Sequence, residues 1–327
     1  MIMTIQKIRT MPYHLRYLLA LFILASSFIF PASHLAYAHT FSSNESAEFL
    51  SLVDQTKAET ALVAMNLENN NVTLAQAHTE KASSLLNNST LDEIREVNNR
   101  IADSLKAGLE QLEENVTSLS VRSQGQQIPQ DRIPTINGTV MSLNDILAEA
   151  VSVRVETEQQ NNATIWAMVL ADLTNALLSN YGNATGAGFD LTDMANLAEM
   201  EEDPRTVGEG VNNNTMQGNT VASNAATNKI IVDEAAYQTA QYLANNTLLQ
   251  LFNDMLKPLT TSDNNATAGI EELETSLLQL RDNVNSKASP REVMTIPHLE
   301  IHPMLMQLYA LTLEDEEEGG AEEDNLG

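Results

Sequence analysis

The chain has 327 residues, a formal net charge of −27 and no cysteine. The lack of cysteine excludes disulfide bonds, thiolate metal sites, iron–sulfur clusters and cysteine nucleophiles. A polyanion is a poor partner for nucleic acid or anionic lipid, whereas cations and basic protein surfaces suit it better. We interpret the acidity mainly as a source of solubility at a cell surface.

Aromatic residues make up only 5% of the chain. A core must therefore consist mainly of Leu, Ala, Val, Ile and Met, which favours helices over sheets. No segment shows the alternation that is typical of a strand. We predict an all-α protein whose antiparallel helices form one elongated bundle or two fused bundles.

Residues 1–38 have the pattern of an export signal. Basic residues precede the apolar run 17–30, and the Ala-Tyr-Ala that ends at Ala38 gives the small-x-small pattern of a cleavage site. Cleavage there makes His39 the mature N-terminus. An uncleaved signal anchor is the alternative, because residues 17–38 are long enough for one tilted span. Either way, the rest of the chain is predicted to lie outside the cytoplasm, secreted or tethered to the outer face of the membrane.

The chain also contains many Asn-x-Ser/Thr sequons, none with proline in the middle position. Together with an export signal, sequons favour an N-glycosylated extracellular protein. The candidate acceptors are Asn44, Asn71, Asn87, Asn88, Asn115, Asn137, Asn162, Asn183, Asn213, Asn245 and Asn265.

Residues 39–120 are predicted to form helical hairpins. Capping-box patterns at Thr73 and Thr90 mark two helix starts, and an Asn-rich break at 69–71 ends the first helix. The predicted helices cover residues 44–66, 73–86 and 90–112. A linker rich in Gln, Gly and Pro is predicted at 121–138.

The second half is predicted to contain two helical segments separated by a flexible loop at 203–228. The first segment, 139–202, holds predicted helices at 142–155, 164–178 and 190–200. The second, 229–313, holds helices at 230–256 and 269–283, and a final helical region that the Ser289 capping box opens. We expect a break at Lys257–Pro258 and a disordered acidic tail at 314–327.

Five short segments of the chain carry a resemblance: His39-Thr40-Phe41, ESAEFLSLVDQTKAET, EAAYQTAQ, Leu256-Lys257-Pro258-Leu259 and Ile301-His302-Pro303. Together they resemble segments of a family of secreted helical proteins from ammonia-oxidising archaea. The similarity covers most of the mature chain and includes no catalytic signature. The resemblance implies an archaeal cell envelope, a setting in which copper metabolism is prominent, and it implies no activity. Some relatives end in a sorting tail with a membrane anchor, whereas this chain ends in an acidic run.

The densest group of candidate metal ligands is His298, Glu300 and His302. In a helix the two histidines are four residues apart and share a face, and in an extended segment all three side chains point to one side. Copper or zinc accepts two His and a carboxylate. The alternative is that Pro303 starts the final helix with His302 as its cap, while the residues that follow pack in the core.

Two further histidines are weaker candidates. His78, with Glu80, is predicted to add ligands from another part of the bundle, although a lone His on an Ala-rich helix is more often a satisfied or exposed residue. A free amine and imidazole at His39 make a bidentate copper chelate of the histidine-brace type. Signal peptidases leave arbitrary residues at that position, so His39 alone does not indicate a site.

The chain has no nucleophile elbow, P-loop, zinc-protease motif, EF-hand loop or dinucleotide fingerprint. The leading hypothesis is a non-enzymatic envelope glycoprotein that contributes structure or binds partners such as envelope proteins or cations. The alternative is a copper- or zinc-binding or delivery protein. A helical metallopeptidase is a third and weaker hypothesis.

Overall fold

A computed structural model describes residues 42–122, 128–129, 131–187, 190–193, 231–260 and 267–311. Every regular element in these ranges is helical and none is a strand, which confirms the all-α prediction. All described residues belong to a single compact unit. Several predictions lie outside the described residues: the signal at 1–38, His39, most of the helix at 190–200, the loop at 203–228, the tail at 314–327, Asn213 and Asn265.

Seven helices lie in the described ranges up to residue 187. They are α1 Ser43–Glu68, α2 Val72–Leu85, α3 Asn88–Val97, α4 Asn99–Arg122, α5 Ile133–Arg154, α6 Thr157–Gln160 and α7 Ala163–Thr185. The ranges from residue 231 onward hold six α-helical pieces and three π-helical turns. These are α8 Glu234–Tyr242, π1 Leu243–Thr247, α9 Leu248–Leu251, π2 Phe252–Leu256, α10 Lys257–Thr260, α11 Thr267–Asn285, α12 Pro290–Ile296, π3 Pro297–Ile301 and α13 His302–Tyr309.

The described helices pack around α1 and α7. Helix α1 contacts α2, α5, α7 and α8, and α7 also contacts α8, α12 and α13. Their apolar side chains join one hydrophobic core, which includes Trp166. Of the described helices, none is long and apolar enough to cross a membrane.

The Asn-rich turn between α1 and α2 confirms the predicted break. Asn70 adopts a left-handed conformation with φ of 58°, and the N–H of Asn71 donates to the carbonyl of Asn66 at 2.7 Å. This is the backbone pattern with which helices commonly end. The Asn71 side chain then caps α2 by accepting from the N–H of Leu74. The prediction of a cap at Thr73 was therefore wrong, because an asparagine two residues earlier begins the helix.

A second asparagine changes the predicted start of α3. The side chain of Asn87 accepts from the N–H of Thr90, so α3 begins at Asn88 and the predicted capping box at Thr90 was wrong. The predicted helix at 90–112 is also divided. Asn98 is extended, with φ of −154°, and its side chain accepts from the N–H of Arg100. Asparagine is among the best N-cap residues, so each one competes with the Ser or Thr that follows.

The predicted linker at 121–138 was too long. Helix α4 reaches Arg122 and α5 begins at Ile133. Pro134 lies in the first turn of α5, where its fixed φ suits a helix and its missing N–H costs nothing. Ser142, predicted to open this helix, lies well inside it.

Helix α7 continues past its predicted end at Leu178 and closes at Gly186. This glycine has φ of 62°, a left-handed conformation that residues with a side chain rarely adopt. The N–H of Val232 donates to the carbonyl of Ala184 at 2.8 Å. The end of α7 therefore holds the chain that leads into α8.

The predicted break at Lys257–Pro258 is absent, and so is the start of the final helix at Pro303 that the alternative reading gave. The chain stays helical through residues 234–260 and 290–309. A proline within an α-helix clashes with the carbonyl four residues earlier. Here each proline follows a π turn closed by a bond that spans five residues, from the N–H of Lys257 to Phe252 and from the N–H of His302 to Pro297. In both cases the carbonyl four residues before the proline belongs to the wider π turn, which accommodates the ring.

Candidate functional site

A buried pair of ionisable side chains lies where α1 meets α2. Glu59 of α1 is 3% exposed, and His78 of α2 is fully buried. The Nδ1 atom of His78 lies 2.6 Å from Oε2 of Glu59. A buried pair of this kind is destabilising unless its remaining atoms also find partners.

Helix α8 supplies the partner for the other ring nitrogen. The Nε2 atom of His78 lies 3.0 Å from Oε1 of Gln238. The same oxygen accepts from Nδ2 of Asn66 at 2.7 Å, and that nitrogen also donates to the carbonyl of Leu62 at 2.9 Å. Three helices thus meet in one hydrogen-bonded chain of side chains.

The order of donors and acceptors in this chain is fixed by the backbone. A carbonyl can only accept, so the Asn66 atom facing Leu62 must be Nδ2, and the Gln238 atom facing Asn66 must be the oxygen. The His78 Nε2 atom that faces the same oxygen must then carry a hydrogen. One proton therefore remains between Nδ1 of His78 and Glu59, whichever atom holds it.

The second carboxyl oxygen of Glu59, Oε1, also has a hydrogen-bond partner. Thr239 donates its hydroxyl to Oε1 of Glu59 at 2.8 Å and lies 3.1 Å from Nζ of Lys81. Lys81 also donates to Oδ1 of Asn180 on α7 at 3.0 Å. Burial lowers the pKa of Lys81, and the carboxylates of Glu59 and Asp233 act in the opposite direction. We call Glu59, His78, Asn66, Gln238 and Thr239 the buried polar network.

A cleft of about 200 Å³ opens beside this network. Asn66 and Gln238 belong to both, so the cleft and the network share two amide side chains. The turn π1 contributes two more amides, and π turns often occur at functional sites. The residues that line this amide cleft are Leu62, Met65, Asn66, Asn69, Gln238, Gln241, Tyr242, Asn245 and Asn246.

The predicted pairing of His298 and His302 is confirmed. Their rings meet edge to face with centroids 5.5 Å apart. Nε2 of His298 lies 3.0 Å from the carbonyl of Leu191, and Nε2 of His302 is buried without a hydrogen-bond partner among the described residues. Burial, aided by the neighbouring His298, lowers the pKa of His302 to about 4. His302 is therefore neutral at ordinary pH.

The third predicted ligand, Glu300, bonds elsewhere: its Oε2 accepts from the hydroxyl of Ser276 at 2.7 Å. Within the described ranges, no group of three or more His, Cys, Asp or Glu side chains is arranged to hold a metal ion. His302 does not cap the final helix either. It is buried with helical φ and ψ because π3 carries the helix through it.

His78 belongs to the buried polar network, and Glu80 is not its partner. Glu80 is exposed and accepts from Gln76 at 3.1 Å. Sequence reasoning missed Glu59, Asn66 and Gln238 altogether. For the first two, the available signal was their spacing of three or four positions from Leu62 and Val63 within the first predicted helix.

The described sequons fall into three groups. Three of them cap helices through Oδ1, which leaves Nδ2, the atom that carries an N-glycan, free of that role: Asn71, Asn87 and Asn162. Asn44, Asn88, Asn183 and Asn245 are exposed. Asn115 and Asn137 are only partly exposed: Nδ2 of Asn115 is buried, and Nδ2 of Asn137 donates to Glu68 at 3.4 Å.

Comparisons of the chain with protein-family models, curated proteins and solved structures find no match.

Proposed function

We propose that this chain is an extracytoplasmic, N-glycosylated protein of an archaeal cell envelope that binds a partner and carries out no catalysis. The export pattern at 1–38 and the sequons support the address, and the resemblance supports the envelope setting. We include in the proposal that neighbouring helices run antiparallel, because connections such as the one at 69–71 are short.

The observation that carries the binding role is the chemistry of the amide cleft. Its lining offers amides, one phenol and apolar side chains, and none of these residues carries a charge at neutral pH. A general acid or base must reach a substrate proton. Both ring nitrogens of His78 already have protein partners, and so does each oxygen of Glu59. This arrangement favours recognition over catalysis.

The position of the sequons supports glycosylation. Asn87 and Asn162 are exposed at helix starts, where an attached sugar extends into solvent and Oδ1 continues to cap the helix. A glycan at either position leaves the described helices undisturbed.

Mass spectrometry of the native protein from its source cells tests this proposal. We expect recovery in the envelope or medium, an N-terminus at His39, and glycopeptides that include Asn87 and Asn162. A protein recovered from the cytosol, unmodified and with Met1 attached, would contradict the proposal.

A copper- or zinc-binding role is the second candidate, and the buried Nε2 of His302 beside His298 favours it. The lowered pKa keeps His302 in the neutral form that binds metals. Two imidazoles suit Cu(I) or Zn(II). Because Glu300 is bonded to Ser276, further ligands must come from another residue, such as the His39 amine, or from a partner.

Titration of the protein with Cu(I), Cu(II) and Zn(II) tests this role. We expect sub-micromolar binding that a His298→Ala/His302→Ala double variant abolishes. Equal binding by the double variant would point instead to diffuse attraction by the acidic chain.

A further inference from the structure

We propose that the amide cleft binds a neutral sugar residue, held on its floor by Nε2 of Gln238 and Oδ1 of Asn66. The inference rests on the proposed function only in taking the chain to be a binding protein. It adds the chemical class of the ligand and the atoms that recognise it.

The buried polar network determines what the floor of the cleft presents. Oε1 of Gln238 and Nδ2 of Asn66 are engaged with each other, with His78 and with the carbonyl of Leu62. Nε2 of Gln238 and Oδ1 of Asn66 make no hydrogen bond within the described residues. The first can only donate and the second can only accept. A ligand in the cleft therefore meets one oriented donor beside one oriented acceptor.

The orientation of this pair cannot reverse. Rotating the Gln238 amide would place its NH₂ group against Nδ2 of Asn66, and rotating Asn66 would place an oxygen against the Leu62 carbonyl. Each change brings like groups together and leaves a buried polar atom without a hydrogen-bond partner, which is unfavourable. The donor and acceptor are thus organised before a ligand arrives, which lowers the cost of binding.

The lining of the cleft selects an uncharged ligand that is rich in hydroxyl groups. An ion in a partly enclosed site requires an opposite charge, and the lining provides none. A hydroxyl both donates and accepts, so two neighbouring hydroxyls match the pair on the floor: one accepts from Gln238 and the other donates to Asn66. The amides of Asn69, Gln241 and Asn246 offer further groups of both kinds around them.

Tyr242 provides the other half of a sugar site. Sugar rings have an apolar face of C–H groups, and an aromatic ring gives that face a surface to pack on. Burial raises the pKa of Tyr242, so its phenol stays protonated as a donor. Met65, which is 47% exposed, adds apolar surface to the lining.

Two sources could supply the sugar. One is a glycan of another molecule, and the other is a glycan on this chain at Asn245, which is both a sequon and part of the cleft lining. The Asn245 side chain now forms a reciprocal amide pair with Asn285, at 2.8 and 3.1 Å. The recognition chemistry is the same for both sources.

The test is a titration of the full, unglycosylated chain with methyl glucoside and methyl N-acetylglucosaminide, followed through side-chain amide signals in NMR spectra. Acetate and putrescine serve as charged comparison ligands. We expect saturable shifts of the Gln238 and Asn66 amides, with a dissociation constant of about 1 mM for so small a ligand. No saturable shift with either sugar, or a stronger response to a charged probe, would overturn the inference.

Gln238→Glu isolates the proposed donor. The new carboxylate still accepts from Asn66 and His78, so the inward bonds remain, but an oxygen replaces the nitrogen at the cleft. We expect the dissociation constant to rise at least tenfold, while Gln111→Glu, which adds the same charge on the exposed surface of α4, leaves it unchanged. If Gln238→Glu fails to fold, Tyr242→Leu replaces it, with an expected increase of at least fivefold. A folded variant that binds the sugar with wild-type affinity would show that the assignment of the sugar site to this cleft is wrong.

The glycosylated protein distinguishes the two sources. Weaker binding of added sugar by the glycosylated chain, restored by Asn245→Gln, assigns the cleft to the chain's own glycan. Equal binding assigns it to a glycan of another molecule. The mass-spectrometric test of the proposed function does not involve the cleft, so failure of one proposal is distinguishable from failure of the other.

Discussion

Two ionisable groups on different helices have pKa values shifted in opposite directions. Burial, with a smaller contribution from Glu48, raises the pKa of Asp172 from 3.8 to about 6. Burial, with a smaller contribution from His298, lowers the pKa of His302 from 6.5 to about 4. The folded state therefore prefers a protonated Asp172 and an unprotonated His302.

The two groups change stability in opposite senses over the same pH range. The contribution of Asp172 to the free energy of unfolding is present below about pH 4 and is lost as the pH rises through 6. That of His302 is present above pH 6.5 and is lost as the pH falls through 4. Because a tenfold change in proton affinity is worth about 1.4 kcal/mol, His302 contributes about 3 kcal/mol. For the partly exposed Asp172, we reduce a similar value to about 2 kcal/mol to allow for screening by solvent.

Single substitutions separate the two contributions. We expect Asp172→Asn to match the wild type near pH 4 and to exceed its free energy of unfolding by about 2 kcal/mol at pH 7. Relative to the wild type, His302→Leu should gain about 3 kcal/mol on going from pH 7 to pH 4. Urea unfolding followed by circular dichroism across this pH range measures both differences.

Glu113→Gln is the matched control, because it removes a carboxylate from the exposed surface of α4 and so reports the effect of the charge change alone. A difference between Asp172→Asn and the wild type that stays constant from pH 4 to pH 7 would refute the assignment to Asp172. If the free energy of unfolding of His302→Leu falls as much as that of the wild type between pH 7 and pH 4, the assignment to His302 is wrong.

Three further predictions concern the core and the sequons. His78→Ala should lower the free energy of unfolding by about 3–5 kcal/mol, because it breaks the buried pair that His78 forms with Glu59; urea unfolding measures this. Glycopeptide mapping of the folded, glycosylated protein should find no sugar on Asn115, whose Nδ2 atom is buried. Gly108→Ala should destabilise by about 1 kcal/mol despite better helix propensity, because its Cβ would lie 2.6 Å from Leu143 Cδ2.

Each of these three predictions has a result that would contradict it. A loss below 1 kcal/mol for His78→Ala would mean that the buried polar network is open to water. Sugar on Asn115 would show that glycosylation precedes folding of helix α4. A rise in melting temperature for Gly108→Ala would show that the Leu143 side chain moves aside without loss.

The all-α class and the central parts of most helices could be predicted from the sequence. The low aromatic content favours helices over sheets, and the spacing of apolar residues along a segment indicates a helix without knowledge of its neighbours. The ends of the helices were less predictable. At Asn71 and Asn87, an asparagine precedes the threonine that the capping-box pattern indicates. Each asparagine side chain accepts a hydrogen bond from a backbone N–H two or three residues later. Such competition between neighbouring caps depends on small energy differences that a pattern does not rank.

The histidines also show which parts of a site a local pattern can predict. Spacing on a helix predicted that His298 and His302 would meet, and they do. It could not predict that Glu59 would pair with His78 or that Gln238 would join them, because these residues are 19 and 160 positions from the histidine. Contacts of that range depend on how whole helices pack, which no local pattern encodes.

The π turns also determine how the C-terminal helices are phased. Each takes up one residue more than an ordinary turn, so removing a single residue from π2 would let a regular α-helix form in its place. Every side chain beyond the deletion would then keep its present direction around the axis, because the deletion removes only the residue that the π turn had absorbed. The same deletion in an ordinary α-helical turn would rotate every later side chain by about 100°. Thr260 would therefore keep its present neighbours in the first case and lose them in the second, although the helix content would be the same in both.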